Sequence, residues 1–345
     1  MKGLAELKSL LLAFLKEHNQ VEKCELYGIR KDWLHDCNFK REEALYSKYI
    51  SQIHLKTISE INKEFCQNRI PFFVLKGIPL TYELYGDIYS RISNDIDILL
   101  KPKDIVRAAQ LLQSMGFQYS GPDMSQKNCR KILEDDEYAN HNYYHIQAFI
   151  SENKLLPPIE VHYEPVVKTT FDYGDKGYDM VDIEECFSCG RMLCINGTSI
   201  PVLSLEDQTI HLMDHFTMHF LEYKRWYYSL KNDRCDLNLL FQTAAYIDKY
   251  YEIINWGILT DKILQYHIET DIAFTFLLIN IIFKIQIPDV LKVVLSEPPH
   301  MIYPEKVDRF RKLFDVITKT LDISTIVFGD LDDYFHHRTE PLYVK

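Results

Sequence analysis

The sequence predicts an α+β protein: a mixed α/β unit followed by a mostly α-helical C-terminal half. Three observations carry the prediction. Short apolar runs of β character cluster between residues 71 and 200, amphipathic helical spacing brackets them, and beyond about residue 200 the pattern is helical alone. The expected organisation is a helical lead-in over 1–70, an α/β core over 71–200 and a helical domain over 201–345.

The elements follow in order. Leu10–Leu15 lies in a charged context near the start and reads as an amphipathic helix, without the cleavage site of a secretory leader. Tyr49, Ile53, Leu55, Ile58, Ile61 and Phe65 recur at helical spacing and predict a long helix from Tyr46 to Asn68. Phe72–Leu75 is then a short strand, Lys76-Gly77 a tight turn, and Ile78–Tyr85 a helix with Pro79 in its first turn. Asn94–Leu100 alternates acidic and aliphatic residues, as a strand does when one face meets a site and the other a core; Pro102 ends it.

Asp104–Met115 predicts a helix with Gly116 just beyond it, and Phe117–Tyr119 resumes the β pattern. A polar stretch, Ser120–Asn140, reads as an exposed loop or short helix. Two further strands, Tyr143–Ile150 and Ile159–Tyr163, are separated by Pro157-Pro158. Ser204-Leu205-Glu206-Asp207 has the form of a helix start, and helical segments follow near 212–221, 237–247, 259–285 and 307–320. The apolar run Ile272–Ile287 is interrupted by Thr275, Asn280 and Lys284 and falls short of a bilayer span, so it predicts a buried helix.

Composition narrows the function classes. The net charge is −11 and no long basic run is present, which disfavours nonspecific nucleic-acid binding while leaving room for a local basic pocket. Eight cysteines without a dense framework predict reduced thiols in a cytoplasmic protein; Cys186 and Cys189, with Cys194 nearby, have metal-like spacing but lack a second matching ligand pair.

Chemistry concentrates around one strand. Asp95 and Asp97 are two apart, so both carboxylates leave the same face and can share one or two hard divalent ions, Mg²⁺ or Mn²⁺. In-line phosphoryl transfer needs such ions beside the attacking and leaving oxygens, and a third carboxylate from a neighbouring strand. Glu160, flanked by Ile159 and Val161, is the candidate, because a carboxylate between strand aliphatics is costly unless paired or metal-bound. Gly77 permits a phosphate to approach the backbone at a helix N-terminus, Lys76 adds positive charge, and Arg91 is a second candidate for triphosphate oxygens.

The stretches Phe73-Val74-Leu75-Lys76-Gly77, Leu84-Tyr85, Arg91, Asp95-Ile96-Asp97-Ile98-Leu99 and Ile159-Glu160-Val161-His162 resemble the family of uncharacterised nucleotidyltransferases, within the DNA polymerase β-like superfamily. Leu203-Ser204-Leu205-Glu206-Asp207, with His215 and His219, is similar to that family's helical half. The resemblance spans roughly residues 65–290. It implies a small mixed sheet, metal binding by Asp95, Asp97 and Glu160, and transfer of a nucleoside monophosphate group from a nucleoside triphosphate with release of pyrophosphate. This sequence departs from the superfamily in one respect: Lys76-Gly77 replaces the usual Gly-Gly or Gly-Ser turn, and the gap to Asp95 is long.

Other features have plain structural readings beside functional ones. His211, His215 and His219 form one stripe on a helix, with His215 and His219 candidates for the acceptor side; Trp226, Tyr227 and Tyr228 could stack a base or simply pack. The acidic balance favours a small-molecule or peptide acceptor over nucleic acid, and no membrane association is expected. Two alternatives stand beside the enzyme: a noncatalytic binding module of the same fold, antitoxin-like or a biosynthetic partner, and a toxin-like transferase acting on tRNA ends.

Overall fold

The computed structural model describes residues 2–22, 41–120, 145–166, 183–225, 236–266 and 268–296, together with residues 25, 29 and 327. The polar stretch after Ser120, the aromatic cluster Trp226–Tyr228, the helix expected over 307–320 and the tail from Gly329 lie outside the described residues. The chain divides into two compact units. A sheet unit comprises 38–167 and 179–211, and a helical unit comprises 1–37, 168–178 and 212–345.

In the sheet unit, α2 (Arg41–Gln67) leads to β1 (Phe72–Val74), α3 (Ile78–Tyr85) and β2 (Ile96–Leu100). Then come α4 (Ile105–Ser114), β3 (Phe117–Tyr119), β4 (His145–Ser151), β5 (Ile159–His162), α5 (Ile183–Cys189), and the hairpin of β6 (Arg191–Ile195) and β7 (Thr198–Val202). The helix α6 (Leu205–Arg225) starts here and runs on into the other unit. The main sheet has the order β1-β2-β5-β4-β3, with β2 and β5 parallel and the remaining neighbours antiparallel. It is the mixed sheet that the resemblance implied, set before a helical C-terminal half.

Period-two alternation sorts the strand residues between two faces. One face carries Phe72, Val74, Ile96, Ile98, Leu100, Ile159 and Val161 into a core completed by Ile58, Ile61 and Phe65 of α2 and Ala108, Ala109 and Leu112 of α4. Full burial of each such aliphatic side chain contributes about 1.5–3 kcal/mol. The apolar stripe of α2 begins later than its spacing predicts, since Tyr49 is 52% exposed. On the opposite face Phe73, Leu75 and Leu99 form a smaller cluster with Leu203, and the polar residues of β2 and β5 share that face.

The β6–β7 hairpin was not anticipated. It turns on Asn196 (φ 51°) and Gly197 (φ 81°), both in the left-handed region that a two-residue hairpin demands, and its Ile195, Ile200 and Val202 enter the main core. At the start of α6 the Ser204 hydroxyl accepts from Asp207 N (3.0 Å) and donates to Asp207 Oδ2 (2.8 Å), a reciprocal cap of the form expected.

The helical unit contains α1 (Leu4–Glu17), the remainder of α6, α7 (Leu237–Tyr250), α8 (Trp256–Tyr266), α9 (Glu269–Phe283) and α10 (Asp289–Ser296). The segment expected near 259–285 is therefore two helices, not one. Leu7, Leu11, Phe14 and Leu15 bury one side of α1, and Asp248 Oδ2 accepts from the backbone N–H groups of Lys2 (2.7 Å) and Gly3 (3.1 Å). The Thr217 hydroxyl donates to the Asp271 carbonyl (2.8 Å) and that of Thr275 to the Met213 carbonyl (2.9 Å), so α6 and α9 satisfy each other's buried threonine hydroxyls. Among the described residues no helix is long and apolar enough to cross a membrane.

Gly190 connects α5 to the hairpin where Phe73 stacks on Phe187 at 4.6 Å. A Cβ there would stand 2.2 Å from the Phe73 ring. Gly190→Ala is expected to cost about 1–3 kcal/mol through overpacking, read as a lower midpoint of urea unfolding; an unchanged midpoint would refute this packing.

Candidate active site

The site begins at the turn after β1. Gly77 has φ 65° and ψ −125°, a conformation that a side chain strains, and a Cβ would approach the Ser93 hydroxyl to 3.2 Å. Gly77 caps α3 with its carbonyl: Thr81 N (3.0 Å) and the Thr81 hydroxyl (2.8 Å) both donate to it. The helix is tied down by buried Glu83, whose Oε1 lies 2.7 Å from Arg191 Nη1, while Arg191 Nε donates to the Leu203 carbonyl.

Beyond α3, Gly86 leaves the helix in the left-handed conformation and Asp87 organises the loop, its carboxylate accepting from Tyr89 N, Ser90 N and the Ser90 hydroxyl. The Ser47 hydroxyl of α2 donates to the Tyr89 carbonyl (2.6 Å). This loop delivers Arg91, Ser93 and Asp95 to the entrance of β2. Ser93 Oγ donates to Asp95 O at 3.1 Å and lies 3.4 Å from Asp95 Oδ1. Asp95 stands one residue before the strand that was expected to contain it.

The parallel register sets Asp97 opposite Glu160 and Leu99 opposite His162. Asp97 is 2% exposed, and both its oxygens are in contact: Oδ1 is 3.0 Å from His162 Nε2 and Oδ2 is 3.4 Å from Lys76 Nζ. One oxygen or nitrogen from each of Asp97, Glu160 and His162 falls within 4.8 Å of the others. Arg91 Nη1 is buried and has no hydrogen-bond partner among the described residues.

Electrostatics couple these groups. Burial opposes ionisation of Asp97, but Lys76 and the His162 hydrogen bond hold it ionised, well below the usual carboxylate range. Asp95 is pushed up by burial and by Asp97, against the pull of Lys76 and Arg91. Glu160 is pushed up to about 7 by burial, by the charges of Asp97 and Asp95, and by a hydrogen bond to Asp97 that favours its protonated form. His211, on α6, is pushed down to about 3 by burial and by Lys76, and its Nδ1 donates to the Pro165 carbonyl at 2.7 Å. Burial pushes Tyr85, near Arg91, up to about 12.

The neighbourhood thus combines paired carboxylates on adjacent strands with a lysine, a glycine-capped helix N-terminus and an arginine. The family model described as uncharacterised nucleotidyltransferase matches residues 39–284, most of the chain. This chain belongs to that family. Membership supports nucleotidyl transfer in general as its chemistry, with divalent metal typical of the fold. No curated protein and no solved structure matches the chain.

In this family member, Lys76, Gly77, Arg91, Asp95, Asp97 and Glu160 belong to the sheet unit, and burial, contact and charge link them in one neighbourhood. His215 and His219 belong to the helical unit, where their Nε2 atoms lie 3.1 Å apart across one turn of α6. His162 was not among the expected site residues. Its signal was available, since it stands two beyond Glu160 and so shares its face, but a histidine in an apolar β run usually reads as packing.

Glu160 holds its proton up to about 7 in the folded chain, against 4.5 as the ordinary value. Its stabilising contribution is fully present below about 4.5 and is lost as pH rises through about 7. In metal-free protein, wild type is expected to lose about 2 kcal/mol relative to Glu160→Gln across that window, measured by urea unfolding from pH 4 to 8. Parallel profiles for the two proteins would refute the shift.

Proposed function

We propose that the chain transfers a nucleoside monophosphate group from a nucleoside triphosphate to an acceptor hydroxyl, dependent on Mg²⁺ or Mn²⁺. The observation that carries this reading is the cross-strand pairing of Asp97 with Glu160 beside Lys76, with Arg91 acting on neighbouring Asp95 and its buried Nη1 without a hydrogen-bond partner among the described residues. A buried guanidinium donor left open is a costly arrangement unless an anion takes it up.

The donor set fits a hard divalent ion: Asp95, Asp97 and Glu160 offer carboxylate oxygens, and the mutual repulsion that raises Asp95 and Glu160 is what bound positive charge would relieve. The chemistry Mg²⁺ supplies when bound is neutralisation of the triphosphate and of the pyrophosphate that leaves. The other functions belong to the chain. Gly77, lacking a side chain, leaves the α3 N-terminus open to a phosphate, and Lys76 and Arg91 bind its oxygens. Ionised Glu160 orients the acceptor hydroxyl and takes its proton as the new O–P bond forms at the α-phosphorus and the bond to pyrophosphate breaks.

His215 and His219 enter the proposal as acceptor-side groups. The charge of −11 supports a small-molecule or peptide acceptor over nucleic acid, and the exposed thiols Cys66, Cys189 and Cys194 suit a reducing cytoplasm.

Calorimetric titration of each nucleoside triphosphate, with and without Mg²⁺, tests the reading. Wild type is expected to bind one or more triphosphates only with Mg²⁺, and the Asp95→Asn, Asp97→Asn double variant to lose that binding. Equal binding by the double variant, or none by wild type, would sink the assignment. Gly77→Ala introduces backbone strain of about 1–3 kcal/mol and a contact with Ser93 at the phosphate turn. It is expected to weaken triphosphate binding about tenfold or more; unchanged affinity would remove Gly77 from the site.

A further inference from the structure

An ion ligand must present a chosen oxygen in a fixed direction, so what holds a ligating carboxylate matters nearly as much as the carboxylate. In this chain Asp97 has one oxygen facing Lys76 and the other facing His162, and shares a further hydrogen bond with Glu160. Oδ2 faces Lys76, and Oδ1 faces His162 Nε2 at 3.0 Å. His162 is 1% exposed, on the same face of β5 as Glu160 and two residues beyond the Asp97–Glu160 pair, opposite Leu99. It therefore lies on the far side of Asp97 from the more open Asp95.

The imidazole is itself held. Its ring meets that of His211 edge-on, with centroids 6.5 Å apart and planes at 84°. The orientation of His211 is set in turn by its Nδ1, which donates to the Pro165 carbonyl. A carbonyl can only accept, so the proton of that bond is on His211. The same logic applies at Asp97, whose ionised carboxylate can only accept, so the shared proton resides on His162 Nε2.

We propose that His162 is a positioning residue whose Nε2–H holds Oδ1 of Asp97, so that Oδ2 is the oxygen presented to the divalent ion, with the imidazole outside the ion's coordination. The part played by the ion rests on the nucleotidyl-transfer reading; the hydrogen bond does not. Direct ligation is the rival, because Asp97, Glu160 and His162 converge within 4.8 Å. Ligation through Nε2 would have to break its 3.0 Å contact with Asp97 Oδ1.

Mn²⁺ is the probe, titrated into the full-length protein by electron paramagnetic resonance. His162→Ala is expected to weaken Mn²⁺ binding about 10–100-fold. His162→Gln, whose amide N–H can reach the same oxygen, is expected to bind within about threefold of wild type. Electron spin echo modulation should lack the signature of a directly bound imidazole nitrogen. Nitrogen-15 NMR of metal-free wild type should find His162 as the Nε2–H tautomer, a result independent of any ion and of whether His162→Ala folds.

A directly bound nitrogen, wild-type affinity in His162→Ala, failure of His162→Gln to rescue, or the Nδ1–H tautomer would each overturn the proposal. If wild type binds no Mn²⁺, the nucleotidyl-transfer reading fails together with the ion's part here, and the NMR result then decides the hydrogen bond on its own.

Discussion

A carboxylate removed from water remains ionised only where positive charge and hydrogen-bond donors replace its hydration, and at 2% exposure Asp97 is such a group. Lys76 and His162 provide the replacement, one to each oxygen. The turn after β1 must bring the lysine back over β2, and β5 must run parallel to β2 in the register that sets His162 two residues beyond Glu160. Shifting β5 by one residue would turn His162 and Glu160 to the opposite face and leave Asp97 without its donor. The sheet order and the site thus express one requirement.

The strand itself was legible. Asp95-Ile96-Asp97-Ile98 alternates with the period of a strand, and Ile98 and Leu100 do reach the core while Asp97 takes the other face. Glu160 could be picked out because it interrupts an aliphatic run, and Lys76-Gly77 because a glycine stood where a strand met a helix. These signals lie within a few residues of chain, where period and turn chemistry act.

Pairing partners and the faces that helices bury are set across the fold, and there the reading stopped short. Nothing local to His162 says that its ring will reach Asp97, which depends on β2 and β5 pairing parallel. Spacing alone extends the α2 stripe to Tyr49, although the helix enters the core of the sheet from Leu55 onward, through Ile58, Ile61 and Phe65. The hairpin is a different case. Asn196-Gly197 between two pentapeptides of β character is a strong local turn signal, fully legible in the sequence.

The parallel pairing has a further consequence for how the molecule comes into being. Parallel neighbours cannot be joined by a tight turn, so α4, β3 and β4 all intervene between Asp97 and Glu160 in the chain. A nascent polypeptide that has reached only β2 has Asp95 and Asp97 but not the cross-strand Asp97–Glu160 pair. The repulsion between Asp97 and Glu160 exists only once β5 has paired with β2. The like charges are therefore a burden of the paired sheet and not of the separate strands, which carry them far apart in sequence.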